Sequence, residues 1–399
     1  MSKLDELIKE LCPNGVEYYT IGEIANYRRG SFPQPYTNSA FYGGDGAMPF
    51  VQVADIENNG FKLKDYTKQT ISKIAQPKSI FVSQGTVICS IQGTIGRVAI
   101  TQYDAYVDRT IAIFEEYKIN INKRFFAYCI QLKFGIEKNF ARGSTLKTIT
   151  KEEFTKFKIP VPPIEVQNEI VRILDNFTEL EAELEAELEA REKQYEYYKD
   201  KILKFSKKDL NVEWINLGTY CNRLKGTAIT ASKMKEISEN DGNIKIFAGG
   251  KTVTKTSEKN IPKEDIISVP NIIVQSRGII DFIYYDKPCS FKREMWSYTT
   301  DNNITLKFIY YYLKNNVKYF RQRGSQMGSM PQISLNVTEK YKIPIPPIEE
   351  QERIVSILDK FDKLCNDITQ GLPAEIEARR KQYEYYRDKL LNFKETKNG

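Results

Sequence analysis

The chain has 399 residues, 41% of them hydrophobic and 28% charged, with a net charge of +7, six cysteines and no histidine. The length allows two domains of ordinary size with connecting elements, and no apolar run approaches the roughly 18 residues that a membrane helix needs. Without histidine, Ser-His-Asp and Cys-His catalysis are excluded and a zinc site is disfavoured.

The charge is unevenly spread. Lys and Arg outnumber Asp and Glu by 19 to 13 over residues 15–158 and by 22 to 13 over 206–342. Over 159–205 the balance is 6 to 12, and over 343–399 it is 10 to 11. Two basic segments therefore alternate with acidic or neutral ones, and a basic segment suits a polyanion. The cysteines (12, 89, 129, 221, 289 and 365) are scattered with no C-x-x-C pair, which predicts reduced structural thiols. Residues 1–10 carry charges at helical spacing and lack an apolar signal core, so a cytoplasmic location is expected.

In chain order, Leu4, Leu7, Ile8 and Leu11 predict a short helix within residues 1–14. A basic domain over 15–158 follows. Arg28, Arg29 and Ser31 flank Gly30, a loop composition suited to phosphate. Residues 86–91 read as a strand, Gln92 to Arg97 as a Gly-rich turn and 98–100 as a return strand. Gln92, Thr94 and Arg97 on that turn are candidate base readers, since Gln pairs with adenine and Arg with guanine in a bidentate way. A plain polar hairpin tip is the competing reading. Glu116 and Lys118, with Asp104 or Asp108 upstream, echo a nuclease triplet, a pattern common by chance. Arg142, Ser144, Thr145 and Lys147 form a second candidate phosphate loop.

Residues 159–167 read Ile-Pro-Val-Pro-Pro-Ile-Glu-Val-Gln. Apolar and aromatic residues at 166, 170, 173, 177, 180, 184, 188, 195, 198, 202 and 205 then keep steps of three and four. A helix from 166 to 204 would run roughly 58 Å at 1.5 Å per residue. The spacer segment is taken as 159–205.

A second basic domain, 206–342, offers Arg223, Lys225 and Thr227, then a strand at 272–274 with Gln275 and Arg277 on its turn. Arg321, Arg323, Ser325, Gln326, Ser329 and Gln332 complete its candidates for DNA contact. Gly249 to Thr252 lacks the spacing of a phosphate-binding loop, because Lys245 stands where glycine is required.

The chain then repeats itself. Residues 343–351 read Ile-Pro-Ile-Pro-Pro-Ile-Glu-Glu-Gln, shifted by 184 from 159–167, and Lys193 to Tyr198 returns as Lys381 to Tyr386. Upstream, Ile21-Gly22 resembles Leu217-Gly218, Gly30-Ser31 resembles Gly226-Thr227, and residues 142–144 resemble 323–325. The second spacer, 343–399, has Gly371-Leu372-Pro373 midway, which predicts a break. Each spacer has one apolar seam, so the expected packing is one helix antiparallel to the other. The Pro-Pro segments lack the hydrogen-bonding residue that an amino-methyltransferase places before its prolines, since Val161 and Ile345 stand there. They read instead as a partner-docking surface used twice, or as a plain helix start.

This order of basic domain, Pro-Pro-Ile-Glu-x-Gln helix and Lys-Gln-Tyr-Glu-Tyr-Tyr, repeated once, resembles the specificity subunits of type I restriction-modification systems. Residues 11–17 resemble that family's start. The resemblance implies an α+β fold with two α/β-type target-recognition domains, two long antiparallel helices between them and a pseudo-two-fold duplication. It implies that each domain reads one half of a bipartite site in double-stranded DNA. Two methyltransferase subunits would dock through Pro162, Pro163, Glu165 and Gln167 and through Pro346, Pro347, Glu349 and Gln351. S-adenosylmethionine would sit on those partners. Two restriction and translocation subunits using ATP and magnesium could join, leaving this chain without cofactor, metal or catalytic residues. A coiled-coil scaffold without DNA specificity stays open as an alternative. A DNA reader would lose affinity steeply with salt, and a scaffold would not.

Overall fold

The computed structural model describes residues 2–58, 60–137, 154–206, 209, 211–250, 252–327, 330–367 and 369–396. The chain divides into two compact units, residues 1–186 with 375–399 and residues 187–374. The division falls within both spacer segments, whereas domain boundaries were expected at their ends.

The first unit contains α1 (Lys3–Leu11), β1 (Tyr18–Thr20), α2 (Ile21–Ile24), β2 (Ala25–Arg29), β3 (Met48–Val51), β4 (Gln69–Ile71), β5 (Ile80–Val82), β6 (Val87–Ser90), β7 (Val98–Ile100), β8 (Ala105–Val107) and β9 (Ile111–Tyr117). It continues with α3 (Lys123–Glu137), β10 (Lys158–Pro160) and the first part of α4 (Ile164–Ile202). Two four-stranded sheets form, ordered β2-β9-β6-β7 and β4-β3-β8-β5, while β1 pairs with β10. Strand β6 (Val-Ile-Cys-Ser) is buried along its length, as a continuous apolar run sandwiched on both faces should be.

The second unit contains the rest of α4, then β11 (Glu213–Asn216), α5 (Leu217–Tyr220), β12 (Asn222–Lys225), α6 (Ala231–Glu236), β13 (Ile244–Phe247), β14 (Val253–Thr256), β15 (Asn271–Gln275), β16 (Asp281–Tyr285), β17 (Cys289–Phe291) and β18 (Trp296–Thr299). There follow α7 (Asn303–Asn315), α8 (Val317–Arg323), β19 (Ser325–Met327), β20 (Met330–Gln332), α9 (Leu335–Glu339), β21 (Lys342–Ile345) and α10 (Ile348–Asn366). The final helix, α11 (Leu372–Leu390), lies mostly in the first unit. It starts where Gly371-Leu372-Pro373 was expected to break the second spacer.

The duplication extends through the diverged interiors. Order β12-β18-β15-β16 repeats β2-β9-β6-β7, and β14-β13-β17 repeats β4-β3-β8. Even the parallel pairings recur, β3 with β8 and β13 with β17. The glycine kept at residues 30 and 226 is one the backbone requires. A Cβ on Gly30 would lie 2.2 Å from the Val107 carbonyl oxygen, and one on Gly226 would lie 2.0 Å from that of Phe291. Both glycines thus let the end of the first sheet cross the end of the second.

Each unit contains one antiparallel helix pair drawn from both spacers. In the first, Phe177 of α4 stacks on Tyr386 of α11 at 5.5 Å. Glu181, only 7% exposed, accepts from Arg380 Nε at 3.0 Å. The apolar seam expected at Leu180 is therefore not followed: Leu180 is 45% exposed, and the buried place at this level goes to Glu181, held by the exposed Arg380. In the second unit, Tyr195 and Tyr198 of α4 stack on Phe361 of α10.

A matched clasp fixes each sheet domain to its helix. Asp175 accepts from Arg124 Nε and the Tyr128 hydroxyl, both at 2.7 Å. Asp359 accepts from Lys307 Nζ and the Tyr311 hydroxyl, both at 2.6 Å. Burial, then the adjoining carboxylate, push both tyrosines far above their usual range, so they remain donors. The expected N-terminal helix α1 buries Leu4 and joins Lys3 to Glu169 at 3.0 Å. All six cysteines are buried free thiols.

Candidate nucleic-acid interface and docking segments

Equivalent strand ends gather in each unit. In the first, the end of β2 (Arg29 to Ser31), the start of β9 and the end of β6 meet. Gly30 N–H donates to the Ile111 carbonyl, Ser31 N–H to Val107, and Ile91 N–H to Thr110. In the second, Thr227 N–H donates to the Phe291 carbonyl, Arg293 N–H to Thr227, and Ser276 Oγ to Glu294. The strands end there in turns, leaving exposed side chains above a buried frame.

Several of the candidate residues lie on or beside these strand ends, and several others are engaged elsewhere. Arg29 and Lys225 occupy the place before the buried glycine and are exposed, with no ion-pair partner among the described residues. Arg28 instead grips Glu115 through Nε and Nη2, both at 2.9 Å, and Arg223 pairs with Glu339 at 3.1 Å. Ser31 Oγ donates to the Lys78 carbonyl, and Thr227 is buried. Gln92 is half-buried and Thr94 exposed at the first hairpin tip. Arg97 turns inward, donating from Nη1 to the carbonyls of Val53 and Ile56 at 3.3 and 3.1 Å. It braces the hairpin, and its guanidinium is not displayed for a base edge.

In the second unit Gln275 is also turned inward, its Nε2 donating to the Gly250 carbonyl. Arg277 is exposed and bridges to Gln332, while Gly278 N–H donates to the Pro331 carbonyl. Two other segments, at Gly250 and at 331–332, thus meet the Arg277 turn. Arg321 Nε donates to the Ile280 carbonyl, and Arg323 lies 3.5 Å from the Tyr319 ring centre. Ser325 and Gln326 lie on β19, whose Ser325 pairs with Gln332 of β20. Arg142, Ser144, Thr145, Lys147 and Ser329 fall outside the described residues.

Sequence reasoning passed over two arginines at this site. Arg109 and Arg293 each follow the first residue of a tight turn, closed by Ile111 N–H to Asp108 O in one copy and Met295 N–H to Lys292 O in the other. Both are exposed. Their separation is 184 positions, the same shift as the repeated helix start, but no flanking identity drew attention to it.

The Pro-Pro segments divide into an inner and an outer face. Gln167, 1% exposed, donates from Nε2 to the Pro162 carbonyl at 2.7 Å and accepts from Asn122 N–H at 2.8 Å. Gln351, 3% exposed, donates to the Pro346 carbonyl at 2.7 Å, and its Oε1 has no partner among the described residues. Pro162, Gln167, Pro346 and Gln351 therefore shape the helix start from within, a correction to the expected docking set. Pro163, Glu165, Pro347 and Glu349 are exposed, with the 36%-exposed Ile348 beside the latter two. Among the described residues no group of His, Cys, Asp and Glu could hold a metal ion, and no helix is long and apolar enough to cross a membrane.

The family model for the type I restriction modification DNA specificity domain matches twice, over residues 13–190 and 200–378. The specificity subunit of the type I restriction enzyme EcoR124I/EcoR124II from Escherichia coli is 36% identical over 295 residues, covering 68% of this chain and 72% of that one. The EcoprrI specificity subunit from Escherichia coli is 28% identical over 396 residues, 93% of each chain. Among solved structures, the S subunit of a type I restriction-modification system from M. genitalium aligns over 94% of this chain and 96% of its own, with a TM-score of 0.59 at 16% identity. A structure from a study of assembly and conformational transition of the type I R-M system aligns over 95% and 98%, with a TM-score of 0.63 at 16% identity. The two family matches follow the two copies of the internal repeat, and the chain belongs to the non-catalytic DNA-specificity subunits of type I restriction-modification systems.

Proposed function

We propose that this chain recognises a bipartite DNA site, one half through each sheet domain, and recruits two adenine methyltransferase subunits to it in the cytoplasm. The observation that carries this reading is the pair of equivalent strand ends, alike in backbone and differing in the side chains at Gln92 and Arg277. Two such readers on one chain make a target of two parts with an unread gap, as half-site spacing does in dimeric binders. The methyltransferases dock on the exposed Pro163 and Glu165 and on Pro347, Ile348 and Glu349. S-adenosylmethionine belongs to those partners, and ATP and magnesium to restriction subunits that complete a cleaving complex.

The test is to co-express the chain with its methyltransferase and map methylated adenines in the host DNA. A gapped motif of two parts supports the reading. Methylation without sequence preference, or at a single continuous motif, overturns it.

A further inference from the structure

The two copies provide an internal control on what each exposed residue does. A duplex presents the same phosphate chemistry wherever a domain docks, while the base edges differ between half-sites. Duplicated domains that read different bases must therefore keep their phosphate contacts and change their base contacts. At the gathered strand ends, two positions keep their charge. Arg29 matches Lys225, each immediately before the buried glycine. Arg109 matches Arg293, each in the turn whose preceding carbonyl touches that glycine.

Among the described residues none of these four side chains has a hydrogen-bond or ion-pair partner. Arg109 lies against the Phe32 ring, 4.7 Å from its centre, a contact that leaves its N–H donors unused. The neighbouring acids are occupied elsewhere: Asp108 accepts from Thr110 N–H and Oγ1, and Glu294 pairs with Lys292 at 2.7 Å. A third position changes its chemistry. Gln92 and Arg277 each precede a glycine with a φ of 78°, Gly93 and Gly278, at the end of equivalent strands. An amide there suits adenine and a guanidinium suits guanine.

We propose that Arg109 with Arg29, and Arg293 with Lys225, form the same phosphate grip in both domains, independent of target sequence, beside the reading positions Gln92 and Arg277. This rests on the DNA-recognition reading above. Sequence change at the tips can then alter the target without loss of affinity, because the grip is a separate set of residues.

The experiment measures binding of the full-length chain to a mixed-sequence duplex across a salt series. Each neutralised phosphate contact lowers the slope of log affinity against log salt by about 0.9. Arg109→Gln and Arg293→Gln are each expected to show that drop, Arg109→Lys to restore the slope, and Lys381→Gln on α11 to leave it unchanged. In the methyltransferase complex, Arg109→Gln should leave the methylated motif with the same letters, and Gln92→Ala should relax one half of it. Unchanged slopes in both glutamine variants, or altered motif letters in Arg109→Gln, would overturn the grip while leaving DNA recognition standing. A wild-type slope near zero would overturn both.

Discussion

The repeated helix starts and the diverged sheet domains reach duplicate structures by different means. At the helix starts nearly every residue is kept, because side chains make the structure: a glutamine closes onto a proline carbonyl, and an aspartate clasps a cation and a tyrosine. In the sheet domains few residues are kept, because backbone pairing and apolar alternation make the structure, with glycine needed most where two backbones nearly touch. A fold held by its backbone can exchange its exposed residues freely. That separation is what a protein needs when it must change its target and keep its partners.

The largest expected effect lies where the diverged domains cannot vary. Gly30→Ala and Gly226→Ala force a methyl into a carbonyl at contact distances that require the backbone to move, costing about 3 kcal/mol each. Gly93→Ala meets open space and has only its positive φ to oppose it, about 1 kcal/mol. Urea midpoints of the three variants would check the order, and equal losses would break the comparison.

Next come the clasps. Asp175→Ala strands a guanidinium and a tyrosine hydroxyl, and Asp359→Ala strands an ammonium and a tyrosine hydroxyl, each costing about 2 kcal/mol. Similar losses in the two copies are expected, measured the same way. The glutamines should differ. Gln167 satisfies both a carbonyl and the Asn122 N–H, while Gln351 satisfies a carbonyl alone. Gln167→Ala should cost about 2 kcal/mol and Gln351→Ala about 1 kcal/mol.

The smallest effect concerns α1. Hydrogen bonding from Arg172, aided by Lys3, holds the Glu169 carboxyl down to about 2 from its usual 4.5. A depressed carboxyl contributes stability above its unfolded value and loses it as pH falls through the folded one. Docking of α1 should therefore weaken between pH 4.5 and about 2, seen as faster proteolysis of residues 1–14 by an acid-active protease, and Glu169→Gln should reduce that pH dependence, the Asp5 capping carboxyl supplying the rest.

The sequence made the helix starts, the break near Gly371 and both hairpins legible, because periodicity and turn residues act locally. It missed that the interiors share a topology, since strand order depends on pairings between distant segments whose residues differ. It also misjudged orientation. Nothing in the spacing tells that Gln167 and Arg97 point inward, or that Glu181 takes the buried place expected for Leu180. Arg109 and Arg293 were visible only through their shared shift, which gains meaning once the strand ends are superposed by topology.

The most direct test of the central claim is domain exchange. Residues 15–158 would be replaced by the corresponding domain of another specificity subunit, and methylated adenines mapped in the complex. Separate readers on a shared frame predict that one half of the motif changes while the other half and the gap stay the same. A change in both halves would contradict the account.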